Sequence, residues 1–379
     1  MAERETPLHL FHVFSTFAVG GPQTRFVNLA NALGSKYHHT ILAMDGNYQA
    51  AEAIKAGVEF TLARMPVAKG SGISIANICN ARRILSKVKP DILCTYNWGS
   101  IEWSLANRGG SICPHIHFED GFGPDETPDR QRLRRSIMRR LALSRSLVVV
   151  PSQVLKKVAT DVWGVSQNRI HYIPNGIDTQ RFARSYDKAL VRDLGISDEL
   201  VVGTVAALRP EKNLTLLVRA FAGLSIMQNA QLVLVGEGPE RGNIERECER
   251  QGVASRVILT GALSEPERVL GRFDVFALSS ITEQMPNSVL EAMAAGLPVC
   301  ATAVGDVKQM LAPENAAFVV PVEEPTALTS ALAKLLQDQD LRRTIGRRNR
   351  DRVEAEFGLQ SMVTRYDMLF TRTCRTETQ

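Results

Sequence analysis

The chain has 379 residues, of which 44% are apolar and 22% are charged, and its formal net charge is +5. This length exceeds what one ordinary core holds and predicts two domains of about 150–200 residues. The small net charge does not by itself suggest a nucleic-acid-binding protein, which would need basic residues clustered with aromatic ones.

The cysteines and the N-terminus indicate the compartment. No CxxC pair occurs among Cys79, Cys94, Cys113, Cys248, Cys300 and Cys374, which favours reduced, buried thiols over disulfides or a zinc site. The opening "MAERETPLHLFHVF" lacks the layout of a signal peptide, and no apolar run approaches the roughly 18 residues that cross a bilayer. We expect a cytoplasmic protein, with peripheral attachment at the inner face of the cell membrane left open.

Short apolar runs alternate with helix-period segments along the whole chain. "PQTRFVNLANALG", "NICNARRILSKVK", "NLTLLVRAFAGLSIM" and "ERGNIERECERQG" have helical periodicity. The runs that read as buried strands lie at 9–15, 40–44, 91–96, 147–152, 201–208, 231–238, 256–261 and 274–280. This alternation predicts an α/β protein with doubly wound parallel sheets.

One break divides this series of elements. The turn "IPNGIDTQRF" at 173–182 is followed by a polar connector, and the strand rhythm restarts at 200. We therefore predict a Rossmann-like domain over 1–183 and a second one over 184–359. Ligands of such sheets bind beyond the carboxyl ends of the strands, so a cleft between the two halves is the expected binding site.

The N-terminal half offers two candidate loops. Gly20 and Gly21 follow the first strand, where they let the backbone approach a ligand or simply form a turn. In "PHIHFEDGFGPDE" we expect the alternating His115 and His117 to face opposite sides of a strand, with one of them lining the cleft.

Seven arginines lie between residues 130 and 145, in "DRQRLRRSIMRRLALSR". Leu133, Ile137 and Leu141 share one stripe of the predicted helix. An amphipathic basic helix of this kind suits an anionic membrane surface, although an ordinary surface helix fits the pattern equally well.

Two loops of the C-terminal half contain charged residues or glycines after strands. "RPEKN" places Arg209 and Lys212 at a strand end beside a helix N-terminus, which suits a diphosphate or forms a plain solvated loop. "VGEGPERG" has GxGxxxG spacing, and the next strand ends without an acidic residue, which argues against a nicotinamide dinucleotide site.

The stretch "ALSSITEQMPNSVLEAMAAG" carries two glutamates. Pro286 disfavours helix before it and fits a first helical turn, so Glu283 lies in a loop and Glu291 in a helix. The free amides at 284–288 favour an anion such as a phosphate, and Glu291 can accept hydrogen bonds from a diol such as a ribose. A glycosidase also uses two carboxylates, but it does not require a phosphate-binding helix end between them.

These motifs, in this order, resemble the retaining GT-B glycosyltransferases, specifically glycosyltransferase family 4 (group 1). The segment from Glu283 to Glu291 matches the E-x7-E signature, and "VGGPQTRF", "PSQVLKKVA", "IPNGIDTQRF", "RPEKN" and "VGEGPE" appear in the usual order. The resemblance covers roughly residues 9 to 356. It implies two Rossmann-like domains facing across a cleft, with a final helix over 360–379 packing back on the N-terminal one.

The resemblance also implies residue roles. Glu291 would bind the ribose, Glu283 the hydroxyls of the transferred sugar, and Lys212 the diphosphate. The family arginine is replaced by Ala207, which leaves Arg209 as its substitute. The implied catalytic residues are Glu283, His117, Lys212 and Arg209. The implied donor-binding residues are Glu291, Gly20, Gly21, Gln284, Met285, Pro286, Asn287, Ser288, Leu290, Gly238 and Leu263.

The activity implied is a retaining transfer of a hexose from a nucleoside diphosphate sugar, with UDP favoured, to a saccharide or lipid-linked acceptor. No metal or other cofactor is expected, since cations and a helix end would neutralise the diphosphate. Two alternatives stay open: a glycoside phosphorylase of the same fold and a non-catalytic nucleotide-sugar-binding partner.

Overall fold

The computed structural model describes residues 7–64, 73–108, 110–122, 126, 128, 130–183, 185–224 and 229–375. Residues 123–125 of the histidine loop, 225–228 of a predicted helix and 376–379 of the C-terminal helix lie outside this described part. The chain divides into two compact units. The N-terminal unit comprises Met1–Asn175 together with Gln360–Gln379, and the C-terminal unit comprises Gly176–Leu359. The division falls inside the "IPNGIDTQRF" turn, eight residues before the predicted boundary at 183.

The N-terminal unit is built on a seven-stranded parallel sheet with strand order β3-β2-β1-β4-β5-β6-β7. Its strands are β1 (Leu8–Phe14), β2 (Tyr37–Ala43), β3 (Glu59–Ala63), β4 (Ile92–Tyr96), β5 (His115–Phe118), β6 (Leu147–Val150) and β7 (Ile170–Tyr172). Its first five helices are α1 (Gly21–Leu33), α2 (Ile75–Val88), α3 (Ile101–Arg108), α4 (Leu133–Leu143) and α5 (Gln153–Asp161).

The C-terminal unit contains a six-stranded parallel sheet with strand order β10-β9-β8-β11-β12-β13. Its strands are β8 (Val201–Val205), β9 (Gln231–Val235), β10 (Val257–Gly261), β11 (Val275–Leu278), β12 (Val299–Thr302) and β13 (Val319–Val320). Its helices are α6 (Lys188–Asp193), α7 (Leu214–Ala222), α8 (Arg241–Arg250), α9 (Glu267–Leu270), α10 (Asn287–Ala294), α11 (Val307–Met310), α12 (Pro325–Gln337) and α13 (Gln339–Glu356).

The predicted doubly wound parallel sheets are confirmed. Buried parallel strands are covered on both faces and therefore read as continuous apolar runs, as in β4, where all five residues are buried. Three strands had no such signal. In β3 every residue but Ala63 is exposed, while β7 and β13 have three and two residues.

The last helix, α14 (Leu359–Arg375), packs on the N-terminal sheet. The Tyr37 hydroxyl on β2 donates to Asp367 Oδ1 at 2.7 Å, and the Tyr37 and Phe370 rings meet edge to face at 5.6 Å. Tyr366 lies 5.9 Å from the Phe118 ring on β5. Within the described residues no helix combines the length and apolarity needed to cross a membrane.

Candidate functional site

Lys212 and Glu283, predicted to act on the same ligand, contact each other in the C-terminal unit. The Lys212 ammonium lies 2.5 Å from Glu283 Oε1, and the side chains are 23% and 12% exposed. Lys212 follows β8 and Glu283 follows β11, the strand that pairs with β8. Because both loops leave the carboxyl ends of adjacent parallel strands, residues 71 positions apart come together.

Further hydrogen bonds join these two loops. Ser279 Oγ donates to the Lys212 carbonyl oxygen at 2.9 Å, and the Ile281 amide donates to the Glu211 carbonyl oxygen at 2.9 Å. Ser280 Oγ donates to Glu283 Oε1 at 2.8 Å. These hydrogen bonds therefore hold the loop that carries Lys212 against the loop that carries Glu283.

A third loop also contacts the Glu283 segment. The Asp306 amide donates to the Gln284 carbonyl oxygen at 2.9 Å. Gly305 has φ +50, and a Cβ atom at this position would overlap the carbonyl oxygens of Glu283 and Gln284. Gly305 was not among the predicted site residues, although a glycine in the loop after a buried strand can indicate such close approach.

Helix α10 begins at Asn287, with Pro286 as its N-cap rather than in its first turn. The Pro286 backbone is extended, with φ −69 and ψ 124. Asn287 and Ser288 are partly exposed at the helix start. The side chains of Met285 and Leu290 are in the hydrophobic core, so only their backbone could meet a ligand.

Glu291 lies in the second turn of α10, in an environment of mixed charge. Burial raises the pKa of its carboxyl to about 7, against the attraction of Arg181, while Glu267 adds to the rise. Arg181 Nε lies 2.7 Å from Glu267 Oε1. Arg181 belongs to the "IPNGIDTQRF" segment, so the structure gives this motif a place beside the predicted ribose-binding residue.

The glycines after β9 have packing reasons. Gly236 has φ +147, and a Cβ atom on Gly238 would overlap the Leu208 carbonyl oxygen of the neighbouring loop. Glu237 and Glu240 hydrogen-bond to the backbone of Leu208 on either side of this contact. Leu263 packs against the hydrophobic core of the unit. Close packing against the neighbouring loop therefore accounts for Gly238 without a ligand.

Arg209 stands apart from the Lys212–Glu283 pair. Its side chain is 59% exposed, and its ion pair, at 4.0 Å, is with Glu211. Ala207, at the family arginine's position, is exposed as well. The structure thus brings Lys212 and Glu283 into contact and leaves Arg209 at the surface of the same loop.

In the N-terminal unit, Gly20 is the N-cap of α1 and has an extended backbone, with φ −173. A Cβ atom on Gly21 would meet nothing within 4 Å. Local backbone geometry therefore does not demand glycine at Gly21. One turn later the buried Arg25 is paired with both carboxylate oxygens of Asp120. Neither residue was among the predicted site residues.

His117 is fully buried in the N-terminal unit. Its Nδ1 lies 2.8 Å from Thr95 Oγ1 and its Nε2 lies 3.4 Å from Glu119 Oε2. His115 Nε2 contacts the same Thr95 oxygen at 2.8 Å. The expectation of opposite faces was wrong, because side chains two residues apart in a strand share a face. Both ring nitrogens of His117 are thus engaged within the unit.

Glu119 and Arg139 form a buried ion pair next to His117. Arg139 Nε lies 3.2 Å from Glu119 Oε2, and both side chains are fully buried. Burial alone would raise the pKa of the Glu119 carboxyl, but Arg139 and His117 outweigh it and the pKa is lowered. The carboxylate is therefore ionised and helps to fix the loop after β5.

The arginines of α4 do not share one environment. Arg139 lies between the Trp98 and Trp163 rings, at 5.3 and 4.7 Å from their centroids, and its Nη1 is 3.4 Å from Glu126. Arg135 is also paired with Glu126, at 3.0 Å. Arg134 and Arg140 are exposed. The helix therefore has an inner face of paired arginines and an outer face that is free of these contacts.

Among the described residues, no group of three or more histidine, cysteine, aspartate or glutamate side chains is placed to hold a metal ion. Reduced, buried thiols were expected. Each of the six cysteines is a free thiol in the structure, but Cys79 is exposed and Cys374 is only partly buried.

Two family models match this chain in succession. Residues 19–181 match the model for Glycosyltransferase Family 4, and residues 187–352 match the model for Glycosyl transferases group 1. Anabaena HepE, in a crystal structure with UDP and glucose, superimposes with a TM-score of 0.82 at 15% identity, covering 96% of this chain and 100% of that one. With its two parallel-sheet α/β units, the chain has the GT-B fold. It belongs to the group 1 (family 4) GT-B glycosyltransferases.

Two relatives show how similar this chain is in sequence to named enzymes. N-acetyl-alpha-D-glucosaminyl L-malate synthase of Bacillus anthracis is 28% identical over 202 residues, which is 53% of each chain. The matched segment thus spans about half the length of that relative. The UDP-Gal:alpha-D-GlcNAc-diphosphoundecaprenol alpha-1,3-galactosyltransferase of Escherichia coli is 24% identical over 273 residues, covering 68% of this chain and 70% of that enzyme.

Proposed function

We propose that this protein is a retaining hexosyltransferase. It moves a hexose from a UDP-sugar to a saccharide or lipid-linked acceptor in the biosynthesis of a polysaccharide or glycan. The observation that carries the proposal is the Lys212–Glu283 ion pair directly ahead of α10, the helix that also contains Glu291. A cation and a helix N-terminus can bind a diphosphate, and the two carboxylates can bind the hexose and the ribose on either side of it.

In the proposed reaction, the bond between the sugar C1 and the diphosphate oxygen breaks as the acceptor oxygen bonds to C1 on the same face. The departing diphosphate takes the proton of the acceptor hydroxyl, so the enzyme supplies neither nucleophile nor base. Lys212 and the amides ahead of α10 stabilise the charge that develops on the diphosphate. Glu283 holds hydroxyls of the sugar, and Glu291 holds the ribose.

Two similarities support UDP as the nucleotide. The structure of Anabaena HepE contains UDP and glucose, and the Escherichia coli relative is named for a UDP-galactose donor and a lipid-linked acceptor. The test is a thermal-shift screen of the full chain against UDP-, GDP- and ADP-hexoses, followed by assay of the released nucleoside diphosphate. Stabilisation by UDP-hexoses and release of UDP support the proposal. Selective stabilisation and turnover of another nucleotide class would contradict it.

We further propose that the donor is bound without a metal ion. The positive charge of Lys212 and of the α10 N-terminus neutralises the diphosphate, as a divalent cation does in other transferases. We expect EDTA to leave the release of UDP within twofold of the untreated rate. An activity that EDTA abolishes and Mg²⁺ or Mn²⁺ restores would contradict this part of the proposal.

The acceptor side of the proposal includes contact with an anionic membrane surface through α4. Leu133, Ile137 and Leu141 form an exposed stripe on its outer face, at 75, 49 and 44% exposure. Arg134 and Arg140 are exposed on the same helix. Apolar side chains flanked by arginines suit the boundary between anionic headgroups and acyl chains.

Replacing Arg134 and Arg140 with glutamine should weaken binding to vesicles that contain anionic lipid. Each arginine near such a surface contributes about 1 kcal/mol, so the double variant should bind roughly thirtyfold less tightly at low salt. Vesicle co-sedimentation measures this. The matched control is Arg343→Gln with Arg347→Gln on α13, two exposed arginines with the same change of charge. Equal weakening by both double variants would show a general charge effect rather than a surface on α4.

A further inference from the structure

Two hydrogen-bond donors hold the same oxygen of Glu283. Lys212 Nζ lies 2.5 Å from Oε1 and Ser280 Oγ lies 2.8 Å from it. Their freedom of movement differs. Lys212 reaches the carboxylate through a flexible four-carbon chain that is 23% exposed, whereas Ser280 is 1% exposed. The lysine can leave by rotating its side chain, and the serine hydroxyl remains close to its backbone position.

The backbone of Ser280 is itself anchored. Thr302 Oγ1, at the end of β12, donates to the Ser280 carbonyl oxygen at 2.6 Å. Thr302 is fully buried, and Ser280 lies two residues beyond β11, which pairs with β12. Ser280 therefore lies at the strand ends of the sheet, whereas Lys212 is the last residue of a short 3-10 turn in a neighbouring loop.

A bound donor competes with Glu283 for Lys212. A diphosphate carries more negative charge than one carboxylate, so it attracts the ammonium group more strongly at equal distance. When Lys212 turns to the diphosphate, Oε1 of Glu283 loses one of its two partners. The carboxylate, only 12% exposed, then depends on its remaining hydrogen bond to stay in place near a ligand of like charge.

We propose that Ser280 is a positioning residue. Its hydroxyl keeps Oε1 of Glu283 in place when Lys212 turns to the diphosphate, which leaves Oε2 for the hydroxyls of the transferred sugar. This inference rests on the proposed transferase function. It adds an exchange of partners: Lys212 and Ser280 are redundant in the free enzyme, and only Ser280 holds the carboxylate in the donor complex.

The test compares Ser280→Ala, Ser280→Cys and Ser280→Thr in the full chain. Alanine removes the hydroxyl, cysteine keeps its volume with a weak donor, and threonine retains the hydroxyl on the same carbon. Ser152→Ala is the matched control, because it removes an equally buried hydroxyl that caps α5 in the other unit. The ligands are UDP and the UDP-hexose that gives the largest thermal shift, and the readouts are kcat, KM, the dissociation constant for UDP and the melting temperature.

We expect Ser280→Ala and Ser280→Cys to lower kcat 10- to 100-fold while the UDP dissociation constant stays within twofold, and Ser280→Thr to restore most of the loss. Because the partners are redundant without donor, Ser280→Ala should lower the melting temperature more in a Lys212→Met background than in the wild type. A kcat within threefold of wild type for Ser280→Ala or, should that variant not fold, for Ser280→Cys would overturn the positioning role. Failure of the wild type to bind any UDP-hexose, with selective binding of another nucleotide class, would instead overturn the proposed function on which this role rests.

Discussion

Replacing Glu283 with glutamine is expected to lower kcat about a thousandfold while UDP still binds within a few-fold of the wild-type affinity. The amide has nearly the same size but no charge, so it loses the 2.5 Å ion pair with Lys212. It also accepts hydrogen bonds from sugar hydroxyls more weakly than a carboxylate does. Removing one preorganised group of this kind commonly lowers turnover 10²- to 10³-fold. Steady-state release of UDP and calorimetric titration with UDP separate the two effects.

The matched control for this experiment is Glu265→Gln. Glu265 is 57% exposed and is paired at the surface with Arg268, so its loss of charge should leave kcat within twofold of wild type. A Glu283→Gln enzyme that turns over at the wild-type rate would remove Glu283 from the reaction. A variant that loses UDP binding in proportion to turnover would assign Glu283 to the nucleotide rather than to the sugar.

Replacing Glu291 with alanine is expected to weaken binding of the UDP-hexose about 100-fold. The ribose hydroxyls donate to this carboxylate in the proposed complex, and each hydrogen bond to a charged group contributes about 1.5–3 kcal/mol. Asp340→Ala on α13 is a suitable control, because its side chain is 96% exposed and its contact with Arg343 is 3.9 Å. Isothermal titration of both variants with the same UDP-hexose gives the comparison.

The wild-type affinity should also depend on pH through Glu291. Burial raises the pKa of its carboxyl to about 7, and ribose hydroxyls donate to the ionised form, so binding lowers that pKa and releases a proton. Affinity for the UDP-hexose should therefore rise about tenfold between pH 6 and pH 8. A UDP-hexose is the right ligand because it lacks the terminal phosphate that titrates near pH 6 in UDP.

Glu291→Gln provides the decisive comparison. Its affinity should be weak and independent of pH over the same interval. The pKa of the Glu291 carboxyl is about 7 in the folded protein and 4.5 in the unfolded chain. Between these values the folded state keeps a proton that the unfolded state has lost. The free energy of unfolding therefore falls as the pH rises from 4.5 towards 7. Glu291→Gln should thus melt at a higher temperature than wild type at pH 8. A pH dependence that persists in this variant would assign the titration to another group.

Much of the fold was predictable because the strands of parallel sheets are buried on both faces. The runs at 91–96 and 147–152 contain β4 and β6, and the helix predicted over "PQTRFVNLANALG" is α1. The edge strand β3 was not predictable in this way, because its side chains are mostly exposed and have no apolar run to mark them. The two-residue β13 is too short for any periodicity.

The local structure of each segment of the candidate site could be predicted from the sequence, but the contacts between segments could not. The order Glu283, Pro286 and Glu291 indicated a loop followed by a helix, which the structure contains with the helix starting one residue later. The contact between Lys212 and Glu283 depends on β8 and β11 being neighbours in the sheet, which no local pattern states. The role of Ser280 follows from its hydrogen bond to Glu283 and could not be recognised before that contact was known.

Arg139 illustrates a different limit. The arginines of α4 and the stripe of Leu133, Ile137 and Leu141 predicted either an amphipathic basic helix on an anionic membrane surface or an ordinary surface helix. The stripe proved to be exposed, and Arg139 fully buried between two tryptophans and two glutamates. A buried arginine requires buried carboxylates, and those of Glu119 and Glu126 lie upstream in a loop whose path the sequence does not reveal.

The central claim is a retaining transfer from a UDP-hexose, and the configuration of the transferred sugar tests it most directly. Proton NMR of the product formed from an α-linked UDP-hexose, recorded before mutarotation of any released hexose, distinguishes the two anomers at C1. The proposed reaction predicts an α-linked product from wild type, and the same product formed about a thousandfold more slowly by Glu283→Gln. A β-linked product would contradict retention and, with it, the role of the departing diphosphate as the base for the acceptor hydroxyl.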